Sequence, residues 1–69
     1  MHNTLDQIKE RARTNTIYTT AYPQGIPGYI CWTGKEAIQC TAARDGGYVW
    51  RVAGQVVREG VVRALLEAD

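Results

Sequence analysis

The chain has 69 residues, 45% of them hydrophobic and 22% charged, with a formal net charge of +1. That balance is globular rather than disordered, and at this length it predicts one domain, spanning residues 1–69, that buries only ~60% of its unfolded surface. Serine is absent, histidine occurs once and cysteine twice, which removes most nucleophilic and metal chemistries at the outset.

Charges are interspersed, with Lys9, Arg11 and Arg13 set against Asp6 and Glu10, and five basic residues against five acidic ones from Lys35 onward. No basic tail is present to attract nucleic acid or an anionic membrane. The opening Met1-His2-Asn3-Thr4-Leu5-Asp6 lacks the basic and apolar regions of a secretory signal. Thr14 to Gly34 is uncharged, but its threonines, prolines and glycines argue against a spanning helix. These features predict a reducing, cytoplasmic setting without membrane contact.

Thr4, with Gln7 three residues on, forms a capping box for a helix over about residues 4–13. Leu5, Ile8 and Ala12 supply its thin apolar stripe. Thr16 to Tyr22 is rich in β-branched and aromatic residues and predicts a strand; Pro23 to Gly28 then breaks the chain into a loop. Further strands are expected over residues 29–33, 37–43, 48–52 and 55–58, separated by turns at Gly34-Lys35, Asp45-Gly46-Gly47 and Ala53-Gly54. Val61, Val62, Leu65 and Leu66 mark the apolar face of a helix over about 60–68. The predicted class is α+β: a small antiparallel meander of three to five strands with a helix at each end.

Register decides which side chains share a face. A three-residue loop at Asp45-Gly46-Gly47 sets Ala42 opposite Trp50 and Cys40 opposite Val52. Tyr29, Cys31, Ile38, Cys40, Tyr48, Trp50 and Val52 then line the better core face, with the C-terminal helix as its cover. The other face carries Ile30, Trp32, Gln39, Thr41, Val49, Arg51 and Val56, to be covered by the N-terminal helix or by a partner. A two-residue turn at Gly34-Lys35 holds Cys31 opposite Ile38 and Cys40 opposite Tyr29, a diagonal poorly suited to a disulfide. A four-residue loop sets the two cysteines directly opposite, and the reducing compartment favours free thiols.

No catalytic residue, cofactor or metal ligand is expected. His2, Cys31 and Cys40 are too few and too badly spaced for zinc, and the cysteines read as small buried hydrophobes. Asp6 and Glu10 read as a solvated helix face, and no glycine pattern fits a phosphate cradle. The remaining signal is the charge-free aromatic segment from Tyr18 to Trp32, since interface centres are rich in Tyr, Trp and Arg and poor in Lys, Glu and Asp. Contact residues are expected at Tyr22, Ile26, Tyr29, Trp32 and Arg51.

By elimination, the chain reads as a non-enzymatic module that binds a larger protein or protein complex, as a monomer or homodimer. Its size class is common among phage and mobile-element inhibitors of host machines, anti-CRISPR and other anti-defence proteins included. The alternatives are a single-stranded nucleic-acid-binding sheet, with Trp32 and Arg51, flanked by Gln39 and Thr41, stacking on and hydrogen-bonding unpaired bases, and a small structural subunit.

Overall fold

The computed structural model describes residues 4–34 and 36–68; His2, Lys35 and Asp69 lie outside them. Helix α1 (Leu5–Asn15) leads through a long loop into a sheet of β1 (Tyr29–Thr33), β2 (Glu36–Ala42), β3 (Tyr48–Val52) and β4 (Gln55–Val57), and α2 (Glu59–Ala68) closes the chain. The strands are antiparallel and ordered β1-β2-β3-β4, so the domain is the α+β meander that its patterning predicts.

The capping box forms as expected. Thr4 Oγ1 accepts from the Gln7 amide at 3.2 Å, and Gln7 Oε1 accepts from the Thr4 amide at 3.0 Å. At the other end α1 runs to Asn15, because threonines bond back onto it: Thr14 Oγ1 to the Glu10 carbonyl at 3.0 Å, Thr16 Oγ1 to the Ala12 carbonyl at 2.6 Å. Those hydroxyls are one reason the expected strand over residues 16–22 does not form. Only an isolated bridge, Ile17 to Ile26, remains of it. Between them the chain closes on itself, with Thr19 and Tyr22 exchanging backbone bonds and the Gly25 amide donating to the Tyr22 carbonyl at 3.0 Å. Strand propensity here yields to local hydrogen bonding.

The β2–β3 turn is displaced from its expected position. Ala43 donates to the Gly47 carbonyl at 2.8 Å, so the three-residue loop is Arg44-Asp45-Gly46, with Gly46 at φ +94°. Ala42 consequently faces Tyr48, Cys40 faces Trp50 and Ile38 faces Val52. This shifts the pairing by two residues from expectation. Side chains alternate with period two, so the displacement changes every partner and leaves every face intact. Between β1 and β2 the register is that of a two-residue connection, Thr33 against Glu36, which keeps Cys31 opposite Ile38 and Cys40 opposite Tyr29. Both cysteines are free.

Both helices cover the same face. Ile8 and Ala12 of α1 and Val62 of α2 join Cys31, Ile38, Cys40, Trp50 and Val52 in one core, α1 lying over β1 and β2 and α2 against β3. Width explains the arrangement. Four strands at ~4.8 Å make a sheet about 19 Å across, and one helix is only ~10–12 Å wide, so sealing a single face takes two. Lys9 ties the helices together: its ammonium lies 2.8 Å from Glu59 and 5.6 Å from the centre of the Tyr48 ring.

Candidate binding face

With both helices on one side, the opposite face of the sheet has, among the described residues, only the loop over residues 17–27 to cover it. The loop is pinned at one end of the sheet. Thr16 Oγ1 accepts from the Ala42 amide at 3.0 Å, and the Tyr18 hydroxyl donates to the Ala42 carbonyl. Arg44 completes the anchor, its guanidinium 4.4 Å from the centre of the Tyr18 ring and its Nε donating to the Pro23 carbonyl at 3.1 Å. Backbone at Gly25 sits so close to Thr41 that a β-carbon there would stand 3.1 Å from the threonine methyl, and Thr41 is buried beneath it.

Beyond the loop the face is open. Ile30, Gln39, Arg51 and Val56 are successive cross-strand partners, so they form one row across all four strands. Ile30 is 53% exposed and Val56 65%. Trp32 stands beside this row at 70% exposure; its cross-strand partner is Ala37, which is too short to shade an indole. Where loop and row meet, a cavity of about 210 Å³ is walled by Tyr22, Gln24 and Pro27 on one side and Gln39, Val49 and Arg51 on the other. At ~30 Å³ per water it has room for a few waters or one inserted side chain.

Of the residues that the sequence suggests for contact, Trp32 and Arg51 lie on this face, Tyr22 lies at the cavity, and Ile26 is exposed on the loop. Tyr29 is separated from them by the sheet. It packs on the core side, half-buried, with Arg11 5.2 Å from its ring centre. Ile30 and Val56, which alternation already assigned to this face, are the apolar members that the contact set lacked.

Charge is distributed unevenly. Among the described carboxylates, Asp6, Glu10, Glu59 and Glu67 belong to the two helices, and Glu36 alternates onto the core side. Only Asp45, in the β2–β3 turn and accepting from the Gly47 amide at 2.9 Å, lies outside that layer. Arg51 therefore stands on the open face without a carboxylate beside it among the described residues.

Burial pushes the Cys40 thiol up to about 12 and raises Cys31 as well, so neither supplies a thiolate at neutral pH. Among the described residues no three His, Cys, Asp or Glu side chains gather as a metal site would require, and no helix is long and apolar enough to cross a membrane. No protein family, curated protein or solved structure matches this chain.

Proposed function

We propose that the chain is a non-enzymatic binding module whose contact surface is the open sheet face, centred on Trp32. The exposure of that indole carries the reading. A tryptophan held mostly in water on a rigid strand, with Ile30 and Val56 on the neighbouring row, is the kind of anchor that dominates interface energetics. Arg51 and Gln39 add directional polar contacts, and the adjoining cavity accepts one side chain of a larger protein. Such a module acts by occupying its partner's surface. An anti-defence or other inhibitory role rests on size class alone; no residue of the chain carries it.

The placement of carboxylates favours one second reading, an anionic partner. Arg51 beside the amides and tyrosine of the cavity, with the exposed Trp32 indole elsewhere on the same face, suits unpaired bases and phosphate. Capture from lysate with and without nuclease separates the two. A protein partner survives nuclease and is lost on Trp32→Ala, which costs ~2 kcal/mol or more of affinity while the domain stays folded. Retention of the partner by Trp32→Ala overturns the assignment of the face. Disappearance of the bound material on nuclease treatment, with affinity falling steeply in salt, replaces the first reading by the second.

A further inference from the structure

We propose that two copies of this chain pair through the free edge of β1, antiparallel about a twofold axis at Cys31, joining two four-stranded sheets into one of eight. This goes beyond the binding face described above and shares with it only Ile30 and Trp32.

Hydrogen-bond alternation carries the first step. A two-residue connection makes Thr33 and Glu36 a hydrogen-bonded pair, so Cys31–Ile38 and Tyr29–Cys40 are bonded pairs too. Past the end of β1 the alternation slips: Gly28, which regular pairing would turn outward, instead donates to the Cys40 carbonyl at 3.0 Å, while the next inward-facing β2 residue, Ala42, bonds to Thr16 and Tyr18, so the free stretch of edge is confined to Ile30 and Trp32. The amides and carbonyls of Ile30 and Trp32 therefore point away from β2. Strand β1 ends the sheet, and among the described residues these four groups have no hydrogen-bond partner.

Free edges are normally guarded by lysine, by proline within the strand, by a bulge or by a cover. The strand Tyr29–Thr33 contains neither charge nor proline, and the whole stretch from Thr14 to Gly34 is uncharged, so two such edges do not repel.

Self-complementarity is the second step, since a twofold contact must match itself. Centring the axis on Cys31 sets Ile30 opposite Trp32 of the second copy, and Trp32 opposite its Ile30. Both pairs are then of the hydrogen-bonded kind and use all four free groups of each strand. The exposed isoleucine and indole meet on the open face as aromatic–aliphatic cross-strand pairs. On the other face each α1 lies over β1 and β2, which places the two helices roughly 10 Å apart, the ordinary spacing of packed helices. The contact is short, below the area of a permanent dimer, so association is weak and concentration-dependent.

Sedimentation across a dilution series tests this, with a monomer expected at ~1 μM and a dimer predominating by ~1 mM. Ile30→Pro is the edge-specific variant: it removes an outward amide and no bond to β2, and it leaves Trp32 in place. It is expected to be a folded monomer at every concentration, and Ile30→Lys, which charges the edge, is expected to behave alike. Wild-type protein that stays monomeric at ~1 mM overturns the proposal. So does a folded Ile30→Lys or Ile30→Pro variant that dimerises like wild type. A folded, monomeric variant counts for edge pairing whatever it does to partner capture, because Ile30 belongs to the binding face as well. Dimerisation without capture counts against the face alone.

Discussion

The two tryptophans make opposite predictions. Trp50 is 3% exposed, packed between the sheet and the helices, whereas Trp32 is 70% exposed. Burying a tryptophan removes ~150–250 Å² from water, or about 4–6 kcal/mol at ~25 cal/mol per Å². Measured Trp→Ala changes in cores cost ~3–5 kcal/mol. A core of this size supplies only ~3–5 kcal/mol in total, so Trp50→Ala is expected to unfold the domain outright. For Trp32 less than a third of the side chain is covered. Unfolded chains already cover ~10–40% of such surface, which leaves a net loss below ~1 kcal/mol for Trp32→Ala. Urea titrations followed by circular dichroism, at ~1 μM to keep the chain monomeric, read both values. In Trp32→Ala the remaining fluorescence is that of buried Trp50 and should stay blue-shifted until the transition. A Trp32→Ala loss as large as that of Trp50→Ala refutes this reasoning, because it means the indole is buried in the monomer.

Two glycines should respond in opposite directions. A β-carbon at Gly28 would meet the Ala12 carbonyl at 2.5 Å and the Thr16 amide at 2.6 Å, both backbone, so Gly28→Ala is expected to cost ~2 kcal/mol or more by thermal melting. At Gly60, in the first turn of α2, the added methyl meets open space, and Gly60→Ala should gain ~0.5–1 kcal/mol and raise Tm by several degrees. The Lys9–Glu59 tie predicts an acid limb. Lys9 holds the Glu59 carboxyl below its ordinary value of 4.5, so the stabilisation is complete above that pH and is lost as pH falls through the lower folded value. Both groups are partly exposed, which limits the effect to about 0.5 kcal/mol. Melts of Glu59→Gln should lie slightly below wild type at pH 7 and converge with it as the carboxyl of the folded protein protonates in acid; a constant gap between the two curves contradicts the assignment.

What local chemistry dictates was legible in the order of residues. Thr4 and Gln7 satisfy each other's orphan groups within one turn, and glycines beside aspartate and alanine close the hairpins, whatever the rest of the chain does. Alternation assigned Trp32, Gln39, Arg51 and Val56 to one face, and that assignment survived a two-residue change in pairing because two is the period of a strand. Residues 16–22 were decided by partners far along the chain: Thr16 bonds both α1 and the Ala42 amide, Tyr18 reaches the Ala42 carbonyl, and a loop replaces the strand. Placement of α1 was likewise tertiary. Its narrow stripe of Leu5, Ile8 and Ala12 fits either side of a sheet, and the choice fell to width, since α2 alone leaves β1 and β2 uncovered. Once both helices lay on the core side, only the loop over residues 17–27 remained for the other among the described residues, and Trp32 was left in water.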